Sequence, residues 1–417
     1  MRNLLKKILL LLPRPFRTLV VLVREWYWRT KMTRWEKQQY PNLPEITPRG
    51  RKVKNVLVYH ISGLAFAGTE KCLQLIADSL AEEYKVVFMY GDKVVAEERK
   101  QAMYPDITFV PFSYETNEVT VPHRITRMKP HLKEVLQEYD IDLIVTASPG
   151  YSHYPWNVIT DIPMILVNIF GAPTLQKNVY KFIGISDTVR LHAQHWTGEL
   201  PDRDITMYAP LAKEPPENIR QLGSDLRTKF SIPESDFVFG RIGRNDDSIF
   251  DPIGIRAWQK IAPDYPNAHY LIMSPPPILV NIVKNENIPR VHFLPPSAAE
   301  NDVWAFHSAI DAMAHFRRDG ETSGVAIAES LMVGNPIITH RSHIWNAHLE
   351  YLNESCALIA DIDAVGEYSE YMKTFIELHK HHPDRWSEMQ IAAKGIGEEN
   401  FSPLVYSDNI RNIVTNI

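Results

Sequence analysis

Only two cysteines, Cys72 and Cys356, occur in the 417 residues, far apart and without metal-ligand spacing. That scarcity speaks against a disulfide framework and suits a reducing cytosol. Long apolar runs are also missing: Ile8–Leu12 and Leu19–Val23 are separated by Pro13, Arg14, Pro15 and Arg17. Neither approaches the roughly 20 residues a bilayer-spanning helix needs. There is no repeat of 20 to 50 residues and no low-complexity tract, which sets aside solenoids and arrays. The histidine-rich HKHHPD (379 to 384) closes a polar helical stretch and reads as solvated surface, not a ligand cluster.

What is present is an uneven charge. The net charge is -5, yet residues 1–36 hold nine Lys or Arg against two Glu, leaving the rest of the chain acidic. A basic head on an acidic body argues against general nucleic-acid binding. The head also carries Trp26, Tyr27, Trp28 and Trp35. Basic residues beside aromatic apolar segments suit an anionic headgroup layer, so the head is expected to lie on the cytoplasmic face of a membrane. A signal peptide is the rival reading, but no small-residue cleavage site follows. An N-terminal helix packed on its own domain is the plain structural alternative.

The length suits two domains. From Asn55 short β-branched runs alternate with helical periods, the pattern of a doubly wound parallel sheet. Strands are expected at 55–60, 85–91, 107–112, 142–148, 163–170, 181–186 and 204–209, with helices clearest at Glu70–Glu83 and Met128–Tyr139. Polar, Pro-containing LAKEPPENIRQLG opens a linker, after which strands are expected at 237–243, 268–274, 290–295, 310–316, 335–340 and 356–360. The fold class is α/β, two tandem Rossmann-like domains facing across a cleft. The division is 1–50 head and linker, 51–210 first domain, 211–233 linker, 234–400 second domain and 401–417 closing helix. In such sheets ligands bind beyond the carboxyl ends of the strands.

Three segments could carry chemistry there. ISGLAFAGTEK (61 to 71) follows the first strand and runs into a helix, with Gly63 and Gly68 permitting close backbone approach to a ligand or simply serving the turn. GRIGR, Gly240 to Arg244, ends the first strand of the second domain, where Arg241 and Arg244 would grip a diphosphate or be solvated strand-end charges. FRRDGETSGVAIAESLMVGNP (316 to 336) sets Glu321 and Glu329 eight residues apart around a Ser-Gly that opens a helix. Free N–H groups there attract phosphate, and the second carboxylate could accept from a ribose diol. The plain alternative is a loop cap and an ordinary helix residue. His60 and His153 each follow a first-domain strand.

Taken in order, AGTEK, KFIGISDTVR, FGRIGR, ETSGVAIAESLMVGNPII and ENFSPLVYSDNIRNIV resemble the retaining, nucleotide-sugar-dependent glycosyltransferases of family four, with the GT-B fold. The resemblance covers residues 54–417. It implies that Glu329 holds the donor ribose and Glu321 faces the transferred sugar. Ser323 and Gly324 would present N–H groups to the diphosphate, with Gly68, Arg241 and Gly243 beside it. Arg244 would counter charge on the leaving group. His60, His153 and Asn168 become possible acceptor or sugar contacts. It further implies that the acceptor enters from the first domain and that no metal ion is needed. With the glutamate pair, the two domains and the basic aromatic head, the chain is expected to move a hexose from a nucleotide sugar to a lipid-linked or polysaccharide (glycan) acceptor, without a cofactor. Two departures stand out: Ile249 occupies the place of the family's Lys, and VNIFGAP offers Asn168 where a His is common. They leave open a catalytically silent binding protein of the same fold, and a sugar-nucleotide epimerase is a further alternative.

Overall fold

A computed structural model describes residues 52–60, 64, 68–92, 95, 97–113, 130–148, 159, 161–172, 174, 176, 178–197, 202–211, 213–297 and 299–417, with isolated positions between 19 and 34. The expected head and His153 thus lie largely or wholly outside the described residues. The first domain runs β1 (Asn55–His60), α1 (Gly68–Ala81), β2 (Lys85–Gly91), α2 (Glu97–Gln101), β3 (Thr108–Phe112), α3 (Pro130–Glu138), β4 (Leu143–Ser148), β5 (Met164–Asn168), β6 (Val179–Gly184), α4 (Asp187–Thr197) and β7 (Asp204–Thr206). Its strands form one parallel sheet of order β3-β2-β1-β4-β5-β6-β7.

Both faces of that sheet are covered, as the apolar content of its strands requires. Val56 and Val58 of β1 pack with Leu73, Ile76 and Leu80 of α1, whereas Leu57 and Tyr59 point to the other face with Leu132 and Val135 of α3. The two-residue period of a strand therefore feeds two half-cores.

The second domain continues with α5 (Ile219–Lys229), β8 (Phe237–Ile242), a 3-10 turn (Asp247–Ile249), α6 (Ile253–Ile261), β9 (Ala268–Met273), α7 (Pro277–Asn285), β10 (Val291–Leu294), α8 (Glu300–Ala309) and β11 (Ala312–Ala314). Then follow β12 (Gly320–Glu321), α9 (Val325–Met332), β13 (Ile337–His340), β14 (Trp345–Asn346), a second 3-10 turn (Ala347–Glu350), β15 (Ala357–Ala360), α10 (Val365–His381), α11 (Pro383–Phe401) and α12 (Pro403–Thr415). The second parallel sheet has the order β10-β9-β8-β11-β13-β15. Here Phe237 and Phe239 face α6 and α10, and Val238 faces α8 and α9.

Every expected strand has its counterpart. The short pair β12 and β14 is an addition that sequence periodicity does not reveal, because two-residue strands have no period. Gly320 makes this pairing possible: its φ is +69°, and a Cβ would fall 1.7 Å from the Trp345 carbonyl oxygen.

Several contacts join the domains. Helix α12 returns to the first domain, where Ile410 and Val414 enter the β1 half-core and Ser407 Oγ lies 2.6 Å from Ser79 Oγ. Glu350 caps the start of α4, accepting from the N–H groups of Asp187 at 2.9 Å and Thr188 at 2.6 Å. A carboxylate at a helix N-terminus satisfies free donors and opposes the helix dipole favourably. The sheet orders reverse between β1 and β4 and between β8 and β11, and these switch points face each other.

Candidate active site

At that junction lies a cavity of about 590 Å³, lined from the first domain by Gly68, Lys71, Arg99 and the ends of β4 to β6, and from the second by Arg241 to Asn245, His315, Arg317 and Glu321 to Ala326, with Glu329. Ser323, Gly324 and the start of α9 are positioned by backbone geometry. Gly324 has φ +92°, and a Cβ there would come within 2.6 Å of the Tyr351 hydroxyl, which itself donates to the Ser323 carbonyl at 2.6 Å. This turn leaves the first N–H groups of α9 without helical partners. Ser323 Oγ is buried and has no hydrogen-bond partner among the described residues.

Glu329 sits on the second turn of α9, buried between the domains. Lys71 Nζ of α1 donates to its Oε1 at 2.6 Å, and His307 Nε2 of α8 lies 3.3 Å from Oε2. A carboxylate only accepts, so that His307 nitrogen carries a proton, while Nδ1 meets Ser330 Oγ at 3.0 Å. Burial works to raise the Glu329 carboxyl, but the charge of Lys71, then the hydrogen bond from His307, outweighs it and brings the pKa down to about 2.

Glu321, on β12, lies with its Oε1 3.0 Å from His315 Nε2 and accepts from Arg317 Nη1 at 3.2 Å. Burial again pushes upward, and Arg317 followed by His315 prevails, holding this carboxyl at about 2. Both carboxylates are therefore ionised at neutral pH and face one cavity.

The cations are unequal. Arg244 is exposed at the rim and makes no ion pair among the described residues. Arg241 is fully buried, not a solvated strand-end charge. Its guanidinium sits 5.1 Å from the Phe316 ring centroid and against Gly243, whose missing side chain leaves it room. Its Nε and Nη1 have no hydrogen-bond partner among the described residues, and burial draws its pKa down to about 10. Ile249 lines the cavity from the 3-10 turn. Of the arginines near it, Arg318 donates to the Ser248 carbonyl and Arg317 is engaged by Asp319 and Glu321, which leaves Arg241 with unused donors.

Two other expected residues stand apart. Asn168 is fully buried, with Nδ2 donating to Ala172 O at 2.8 Å and Oδ1 accepting from Gly171 N–H at 2.6 Å. Both ends of its amide are used to close the loop, and it does not line the cavity. His60 lies under the start of α1, its Nδ1 3.8 Å from Glu70 Oε1, and is likewise outside the lining. Sequence reasoning did not single out Lys71, Arg99, His307 or His315. Lys71 was visible as the last residue of AGTEK; the others carry no local signal. Among the described residues no group of three or more His, Cys, Asp or Glu is placed to hold a metal.

The backbone matches solved structures over nearly its whole length. A glycosyltransferase from Rickettsia africae superposes with a TM-score of 0.69 at 14% identity, covering 88% of this chain and 99% of that one. Two Rossmann-like sheets facing across a cleft, closed by a returning C-terminal helix, decide the architecture. The fold is GT-B. Two further structures share it. The Anabaena protein HepE, solved with UDP-glucose, matches with a TM-score of 0.66 and 16% identity over 87% of this chain and 100% of that one. The sucrose-phosphate synthase of Thermosynechococcus elongatus matches with a TM-score of 0.65 and 12% identity over 87% and 100%. No family model and no curated sequence matches the chain. Within the GT-B fold the cavity occupies the cleft between the two sheets, where Glu321 and Glu329 are brought together with Ser323, Gly324, Gly68, Arg241, Gly243 and Arg244.

Proposed function

We propose that the chain is a retaining glycosyltransferase that moves a hexose from a nucleotide sugar to a lipid-linked or polysaccharide acceptor at the cytoplasmic face of a membrane. The observation that carries this reading is the placement of two ionised carboxylates and the open start of α9 in one interdomain cavity. The donor ribose hydroxyls donate to Glu329, and the diphosphate meets the first N–H groups of α9 with Arg241 and Arg244 alongside. Glu321 faces the sugar. The rate gain comes from stabilising charge on the departing nucleoside diphosphate, with no covalent protein intermediate and no metal ion. The resemblance to family four supports retention, and the UDP-glucose of the HepE structure makes UDP the first nucleotide to try.

A thermal-shift screen with UDP, GDP and ADP tests the donor site. One of them is expected to raise the melting temperature by about 3 to 6 °C at a hundredfold excess over its Kd. Absence of any shift with all three overturns the reading.

The membrane location is supported by the described part of the head. Leu19, Val23, Trp26 and Tyr27 fall at helical spacing and are all exposed. Among the described residues no helix is long and apolar enough to cross a membrane. Removing residues 1–36 is expected to leave a folded protein that no longer sediments with anionic liposomes. Sedimentation equal to the full chain's contradicts that role.

A further inference from the structure

The cavity wall contributed by the first domain contains a side chain that the proposed chemistry has not used. Arg99 lies on α2, just beyond the carboxyl end of β2, and is only 4% exposed. Its Nη1 donates to Gln74 Oε1 at 2.9 Å, while Nε and Nη2 have no hydrogen-bond partner among the described residues. No carboxylate among the described residues forms an ion pair with it. A guanidinium does not escape burial by losing its proton, so donors left unpaired inside a protein are costly unless something else meets them. The side chain lines the same cavity as Ser323 and Glu329.

The surroundings indicate what meets it. Arg99 and Lys71 line the cavity together with Glu329, the expected ribose carboxylate, and Arg99 feels the charges of Glu300, Glu70 and Glu329. Lys71 is held by Glu329, and its next carboxylate, Glu300, is 3.7 Å away. Ribose hydroxyls on Glu329 share that carboxylate with Lys71, so a ligand carrying an anion beside its ribose brings it towards both cations. In a nucleotide sugar the group adjoining the ribose is the diphosphate.

We infer that Arg99, with Lys71 beside it, is a first-domain clamp on the donor's diphosphate, so that the anion is gripped from both sides of the cleft. This rests on the nucleotide-sugar reading above. It also answers the Ile249 departure: the cation missing from the second domain is supplied from the first. The planar fork of a guanidinium matches a pair of phosphate oxygens.

Calorimetric titration of the full chain and of Arg99→Met and Arg99→Lys tests the clamp. The probes are the nucleoside diphosphate found by the screen, the matching nucleoside and inorganic pyrophosphate. Arg99→Met is expected to weaken the diphosphate and pyrophosphate by about tenfold to a hundredfold, the value of a hydrogen-bonded charge, and to leave the nucleoside unchanged. Arg99→Lys, which keeps the charge and loses the fork, is expected to fall between. Equal losses on all three probes mean a structural role and overturn the clamp. Unchanged diphosphate binding in Arg99→Met, including the case where only the KM of a phosphorylated acceptor rises, also overturns it. If Arg99→Met does not fold, diphosphate affinity in Arg99→Lys equal to wild type overturns it. Arg99-dependent binding of pyrophosphate by a chain that takes no nucleotide supports the anion site and sinks the donor reading instead.

Discussion

Replacing Glu329 by glutamine is expected to remove nucleotide-dependent stabilisation and to lower the stability of the unliganded protein as well. The variant keeps the shape of the side chain but leaves the Lys71 ammonium buried, with Glu300 as its remaining carboxylate at 3.7 Å. Removing one partner of a buried pair costs about 3 to 5 kcal/mol. Thermal melts with and without nucleotide separate the two effects. Acid supplies an independent check. The Glu329 carboxyl is depressed from 4.5 to about 2, so its contribution is complete above pH 4.5 and is lost as pH falls through 2. The melting temperature of Glu329→Gln should therefore fall less than that of wild type between pH 4.5 and 2. Parallel profiles contradict the pairing, and undiminished nucleotide stabilisation removes Glu329 from the donor site.

Much of this arrangement was legible before the structure. The β1 segment NVLVYH lies in the middle of its sheet with both faces buried, and such strands announce themselves as short continuous apolar runs. The Ser-Gly before VAIAESLM likewise marks a helix start, because the αL conformation of Gly324 suits only glycine there. Local sequence carries these features because local sterics and burial cause them.

The electrostatic partners were illegible for the opposite reason. Lys71 and Glu329 are 258 residues apart, and nothing near either one requires the other. Arg99 sits in EERKQ, a short charged run that reads as solvent-exposed, yet the packing of α2 against α1 buries it beside Gln74. Asn168 shows the reverse: its place at a strand end suggested the cleft, whereas the tight turn to Ala172 consumes its amide. Position along a strand tells which edge a residue reaches; the loop that follows decides whether its side chain is available. The same separation locates the charge opposite the diphosphate. With Ile249 apolar, the second domain offers Arg241 and Arg244, and the balance depends on how closely the domains meet at Gly68, where an added Cβ would touch Val325 at 3.2 Å.

Glu321→Gln is expected to reduce turnover by about 100-fold to 1,000-fold while leaving affinity for the nucleoside diphosphate alone within a few-fold. The residue contacts neither Glu329 nor Lys71; its partners are His315 and Arg317 on the other side of the α9 start. A nucleotide without sugar should therefore bind the variant almost normally, and the penalty should appear in kcat for the complete donor. Its depressed pKa also restricts its role. A carboxyl at about 2 is ionised at any working pH and has no proton to give, so Glu321 acts by accepting hydrogen bonds and by its charge, not as a general acid. The wild-type kcat/KM profile should accordingly show no carboxylate limb between pH 5 and 9. A limb in that range that vanishes in Glu321→Gln would assign it proton transfer instead, and a nucleotide affinity that collapses with kcat would place it in the diphosphate site. The intact neighbour pair matters to the same result: with Arg317 held by Asp319 at 2.6 Å, the cation stays beside the sugar site when Glu321 is neutralised. The loss then reports the missing negative charge and not a displaced arginine.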